Sequence, residues 1–185
     1  MGLLEWLFSK PSTQNEQEDI SFKSLKSNKD RKKVSVLNLR IGDIVSYDGI
    51  DYIIRNRMIY DSHGFKWFEY HLVDTITEKK VWLCVEDDDE LEISICEIVD
   101  DFDIEEPIPK TILYRNEKFY LDEHDSATVY IESETGQEKS TQVEYWDFYT
   151  KDDEKGFSIE RWGSEYEFSI SHFIEEYQLS ILPGE

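Results

Sequence analysis

The sequence predicts a mainly β body of small bent antiparallel sheets or partial barrels. Three observations carry this expectation. Apolar and polar residues alternate over short runs, turn-forming residues separate the runs, and eleven Tyr, ten Phe and five Trp supply large side chains to bury. The clearest stretch is Trp67 to Glu90, where two alternating runs flank a polar connector in the manner of a hairpin. Phe68, Tyr70 and Leu72 share one face of the first run, and Trp67, Glu69 and His71 share the other. On the second run Val81, Leu83 and Val85 oppose Trp82, Cys84 and Glu86. Pairing the two aliphatic-aromatic faces builds half a core and gathers the remaining residues on the opposite side.

The body is expected to begin near Val34, after which Asp48-Gly49 separates two apolar runs. Both positions tolerate the positive φ of a type I′ turn, so a hairpin follows. Asp61-Ser62-His63-Gly64 forms the next turn and delivers the chain to Trp67. Residues 34–98 read as a first β-unit. Residues 99–110, rich in Asp and Glu and carrying Pro107 and Pro109, read as an acidic linker or edge crossing, because proline removes ladder donors and like charges repel. Residues 111–185 then read as a second, similar β-unit packed on the first into one body. Ile112 to Leu121, a hairpin with a turn expected at Asn116-Glu117, echoes Tyr47 to Tyr52. Val143 to Tyr149 echoes the run from Trp67, and Gly156 to Trp162 echoes the run from Val81. Near the C-terminus Ser171 could cap one short helix bearing Phe173, Ile174 and Tyr177.

Charge divides the chain. Residues 1–40 hold eight basic and five acidic residues, and residues 41–185 hold twelve and thirty-seven. An acidic body repels phosphate backbones, which argues against nucleic acid as a partner. The two cysteines, Cys84 and Cys96, make no disulfide framework, and with no signal-peptide pattern the expected location is cytoplasmic. Before the body, residues 1–33 comprise a short apolar segment and a polar tether. Leu3, Leu4, Trp6, Leu7 and Phe8 are too few for a stable isolated helix, so they are expected to contact a partner. A protein groove is the first choice and a weak peripheral contact with the inner membrane surface the second.

The pattern Gly42-Asp43-x-Val45-x-Tyr47-Asp48-Gly49, followed by Tyr52, Trp67-x-Glu69-Tyr70-x-Leu72 and Trp82-Leu83-x-Val85-Glu86, resembles the bacterial family known as domain of unknown function 4178. Glu144-Tyr145-Trp146 and Ser158-Ile159-Glu160-x-Trp162-Gly163 extend the likeness, which spans roughly residues 36 to 182. It implies a β-rich bacterial domain found in company with membrane-stress proteins of the phage-shock type. The resemblance assigns no catalytic residue.

Trp67, Glu69, His71, Trp82, Cys84 and Glu86 are the candidate ligand-binding residues. If Tyr70 pairs with Leu83, Glu69 lies opposite Cys84, Trp67 opposite Glu86, and His71 opposite Trp82. A carboxylate beside a thiol and an imidazole could bind a cation or move a proton. Against this stands a structural role, with the indoles covering a half-exposed face and the carboxylates accepting hydrogen bonds. The run Glu86 to Glu90 lacks the spacing and central glycine of a calcium loop. No nucleophile elbow, phosphate loop, dinucleotide fingerprint or His-Glu-x-x-His stands in the chain. No cofactor and no metal site are therefore expected. The leading expectation is a non-catalytic interaction or accessory module that binds a protein partner. The alternative is a small-ligand or divalent-cation domain, or an enzyme, that uses the Trp67/Glu69/Trp82/Glu86 face. A concave pocket with the carboxylates turned inward and unpaired would favour the alternative, and a flat face with Glu69 and Glu86 bonded to backbone amides would favour the interaction module.

Overall fold

The structure is a computed structural model and describes residues 34–184. Residues 1–33, with the apolar segment and tether expected there, lie outside the described residues. β1 (Ile44–Tyr47) turns at Asp48-Gly49 into β2 (Ile50–Ser62), and both turn residues have the positive φ their types tolerate. β3 (Phe65–Asp74), β4 (Lys80–Asp87) and β5 (Leu91–Ile98) follow as a meander. A second meander comprises β6 (Thr111–Tyr114), β7 (Glu117–Ser133), β8 (Glu138–Tyr149), β9 (Lys155–Trp162) and β10 (Glu165–Phe173), and β11 (Leu179–Leu182) ends the chain. The β6–β7 turn falls at Arg115-Asn116, both with positive φ, one residue before the expected Asn116-Glu117.

The two meanders join twice, β5 to β10 and β2 to β7, always antiparallel. The β2–β7 ladder runs from Asn56 opposite Ser133 to Asp61 opposite Thr128. It links the ends of a row, β2-β3-β4-β5-β10-β9-β8-β7, and so bends eight strands into a ring. β1 with β11, and β6, extend from it.

Each long strand changes face at a bulge. In β2 the register shifts between Ile54 and Asn56, and in β7 between Leu121 and Glu123. An extra residue reverses the side-chain alternation. Tyr52 and Ile54 therefore belong to an outer apolar cluster, whereas Met58 and Tyr60 belong to the inner one. Phe119 likewise packs outside while Ala127, Val129 and Ile131 pack inside.

Three apolar clusters result. Inside the ring, Met58, Tyr60, Val129, Ile131 and Trp162 pack together with Trp67 and Trp82. Outside the first meander, Tyr70, Leu72, Val81, Leu83 and Val85 are covered by Val36, Leu39 and the β1–β11 extension. Outside the second, Phe148, Phe157, Ile159 and Phe168 are covered by residues 99–112, with the Phe102 ring 5.0 Å from that of Phe157. Residues 99–110 contain no strand.

The expected helix after Ser171 is absent. β10 continues to Phe173, which pairs with Ser94 of β5, and the Ile174 amide donates to the Ile93 carbonyl. A single 3-10 turn, Glu176–Gln178, then leads into β11, which pairs with β1. Tyr177 is exposed, so the apolar spacing that suggested a helix buries no common stripe.

Leu83 is fully buried in the outer cluster of the first meander. Leu83→Ala should lower unfolding stability by about 2–5 kcal/mol in urea titration. A loss below about 1 kcal/mol would place this side chain elsewhere.

Candidate functional site

The β3–β4 ladder holds the register read from sequence: Trp67 faces Glu86, Glu69 faces Cys84, Tyr70 faces Leu83 and His71 faces Trp82. Ring closure turns the Trp67/Glu69/Trp82/Glu86 face inward, so it is concave. It lines a cavity of about 110 Å³ together with residues of β5, β7, β8, β9 and β10, next to the apolar filling that includes Met58 and Tyr60 of β2 and Val129 and Ile131 of β7. Its mouth opens into a larger groove of about 820 Å³ that shares Glu86, Glu92, Glu123, Tyr149 and Phe173 with it.

Seven carboxylates line this lumen: Glu69, Glu86, Glu92, Glu123, Asp147, Glu160 and Glu167. Each strand of the ring except β2 contributes one. Three pairs stand directly opposite one another across ladders: Glu86 with Glu92, Glu123 with Asp147, and Glu160 with Glu167. Like charges in that position destabilise a sheet. Among the described residues, no lysine, arginine or histidine lines the cavity to offset them.

Neighbouring hydroxyls and an indole provide partial relief. Tyr60 donates to Glu69 at 3.3 Å, Tyr145 to Glu123 at 2.8 Å, Ser158 to Asp147 at 2.7 Å, and the Trp162 indole to Glu160 at 3.0 Å. Five of the seven nevertheless hold their protons to higher pH than a carboxyl ordinarily does. Burial, then Asp147, Glu92 and Glu123, pushes Glu86 up to about 7. Burial raises Asp147 to about 6 and Glu160 to about 7, against the pull of their hydrogen bonds. Burial and then Glu160 raise Glu167 to about 8, and burial with Glu160 holds Glu69 well above the carboxylate range. These side chains are half-buried, and the protein around them solvates charge less well than bulk water does.

Of the residues singled out from sequence, Trp67, Glu69, Trp82, Cys84 and Glu86 line the cavity. His71 does not. It is buried beyond Trp82, with its Nδ1 3.0 Å from the Asn56 amide, and burial followed by Lys80 lowers it to about 4. Glu92, Glu123, Asp147, Glu160 and Glu167 were missed. Their common signal was an acid on the face opposite a run of buried apolar residues, as in Tyr145-Asp147-Tyr149 and Ser158-Glu160-Trp162.

Among the described residues, no group of three or more His, Cys, Asp or Glu is arranged to hold a metal ion. The acids instead ring a lumen, at spacings set by strand pairing. An antiparallel β-ring with an acidic interior is thus the class of protein that fold and site define. The sequence profile of domain of unknown function 4178 matches residues 40–176, and the chain belongs to that family. No curated protein and no solved structure matches the chain. No helix of the described residues is long and apolar enough to cross a membrane.

Carboxyls whose pKa is raised in the folded state favour folding while protonated and oppose it once ionised. Their contribution is therefore lost as pH rises through the folded values of about 6 to 8. His71, lowered on folding, acts in the other direction but only as pH falls below its ordinary value. Unfolding free energy should therefore fall from about pH 4.5, where the unfolded carboxyls ionise, to about pH 8, and level off above it. Glu167→Gln should recover about 1–2 kcal/mol at the alkaline end and almost nothing near pH 5. Stability that rises across this window would contradict the assignment.

Proposed function

We propose that this protein is a non-enzymatic binding module whose lumen captures a small organic cation carrying more than one ammonium group. One observation carries the reading: seven carboxylates from seven strands converge on an enclosed space lined by no cationic side chain. Uncompensated buried charge is costly, and a bound cation is the simplest group that offsets it. Several ammonium groups on one flexible chain match acids spread around a wall better than a single point charge does. Trp67, Trp82 and Tyr145 supply aromatic surface, on which methylene segments and ammonium groups both pack favourably. The groove outside the mouth adds apolar wall from Leu91, Tyr120 and Ile174, enough room for the remainder of an extended ligand.

On this reading the body senses or sequesters the cation, and residues 1–9 recruit a protein partner. The accessory role and the link to membrane stress belong to the same proposal. Dispersed acids favour an organic polycation over a divalent metal, whose oxygen ligands must converge within about 2.0–2.6 Å of one point.

Titration calorimetry of the full chain with spermidine, putrescine and butylamine tests the reading. Affinity should rise with the number of ammonium groups and weaken as salt is added. It should also strengthen from about pH 6 to 8, with protons released on binding, because the ligand favours ionised carboxylates. Glu86→Gln and Glu160→Gln should each weaken spermidine about tenfold. Equal affinity for all three amines, or no binding, would overturn the proposal. So would a stoichiometric Ca²⁺, Mg²⁺, Mn²⁺ or Zn²⁺ site tighter than about 10 μM that Glu86→Gln abolishes.

A further inference from the structure

Cys84 and Cys96 are the only cysteines in the chain, and both line the lumen. In the β4–β5 ladder Cys84 faces Ser94 and Trp82 faces Cys96, so the two thiols are diagonal neighbours on the inward face. Their sulfur atoms are 2.8 Å apart, and the Ser94 hydroxyl lies 3.5 Å from the Cys96 sulfur. The sulfur–sulfur distance is inside ordinary contact, so the two side chains already point at one another. A disulfide requires about 2.05 Å between sulfurs and Cα atoms about 4.4–6.8 Å apart. Diagonal partners on neighbouring strands stand about 7–8 Å apart, slightly beyond that range, so closing the gap of less than about 1 Å between the sulfurs draws β4 and β5 together as well as rotating the side chains. Cys84 is partly exposed to the cavity, which opens through the mouth to solvent.

We infer that Cys84 and Cys96 form a reversible dithiol–disulfide couple inside the lumen, closed by exchange with a small disulfide entering through the mouth, and that the surrounding carboxylates select cationic disulfides over anionic ones. The selection rests on the cation-binding reading above; the closure does not. In the first step the thiolate of one cysteine attacks a sulfur of the incoming disulfide. That sulfur–sulfur bond breaks, a mixed disulfide forms, and the departing thiolate takes up a proton. The second cysteine, as thiolate, then attacks the protein sulfur of the mixed disulfide and expels the second small thiol. Two protein thiols are oxidised and one small disulfide is reduced to two thiols, with both protein protons ending on the leaving groups.

Electrostatics set the partner. The hydrogen bond with Cys96, burial, and the carboxylates of Glu69 and Glu160 hold the Cys84 thiol well above its ordinary range. Only the thiolate attacks. A reagent that brings positive charge into the lumen stabilises that thiolate as it arrives, whereas an anionic reagent is repelled before contact. In the ladders Glu69 stands directly opposite Cys84, and Ser171 opposite Cys96. A disulfide here would link β4 to β5 within the wall that carries Glu86 and Glu92, and so would couple the thiol state to the mouth.

The full chain is exposed at neutral pH to cystamine, to hydroxyethyl disulfide and to dithiodipropionate, quenched with an alkylating reagent, and read by intact and peptide mass. Cystamine should yield a product lighter by two hydrogens with residues 84 and 96 cross-linked, at least about tenfold faster than dithiodipropionate, with the neutral reagent between them. Dithiothreitol should restore both thiols. Cys84→Ser should leave Cys96 carrying a persistent cystamine adduct, because no resolving thiol remains. Closure at equal rates from all three reagents would overturn the charge selection and the cation-binding lumen with it, leaving the couple intact. A stable mixed disulfide on the unsubstituted chain would overturn the couple. So would two thiols that resist all three reagents when folded yet react once unfolded.

Discussion

The fold depends on the ladder between β2 and β7. Without it the other pairings make an open row of strands with one face apolar and the other rich in acids, and that second face would lie in bulk water. Six residues of each strand, from Asn56 opposite Ser133 to Asp61 opposite Thr128, join the ends of the row. Closure turns the polar face into a wall around a lumen. It also demands the two bulges, because each long strand must serve an outer apolar cluster at one end and the interior at the other. The outer clusters are then covered by residues 36–54, by β11 and by residues 99–112.

Closure puts two demands on the interior in conflict. On the side of β2 and β7 the ring is filled with apolar side chains, as a small barrel must be. Elsewhere it is lined with acids from seven of the eight strands, and six of these acids face one another in pairs. The acids add no apolar packing, and burial makes five of them hold their protons to higher pH than usual. Such opposition between a fold's stability and the groups it encloses is the usual mark of a binding site. It directs attention to the lumen rather than to the acidic outer surface.

Much of this was legible in the sequence because strand pairing translates alternation directly into faces. The register of β3 on β4 followed from one aliphatic-aromatic face meeting another, and the Asp48-Gly49 turn from two residues that tolerate positive φ. Other parts were not legible. Over the few residues after Ser171, apolar spacing fits a helical and an extended chain equally well, and pairing with Ser94 decided for the strand. Leu179 to Leu182 is too short to declare itself before β1 is present to receive it. The remaining acids were hidden for a different reason. A strand with one apolar and one acidic face reads as half-solvated, and nothing local in Tyr145-Asp147-Tyr149 says that its acidic face turns inward. Only the joining of strands distant in sequence does so. His71 was misplaced in the same way: alternation gave its face correctly, but Asn56, across a bulge, sets its surroundings.

The most direct measurement of the account is the titration of individual carboxyl groups, followed by carbon NMR of the ¹³C-labelled chain with assignments from Glu→Gln variants. An enclosed acidic lumen predicts that Glu86, Asp147, Glu160 and Glu167 titrate between about pH 6 and 8. If all four titrate near about 4, the range of a fully solvated carboxyl, the ring is open to bulk water and the lumen does not exist as described.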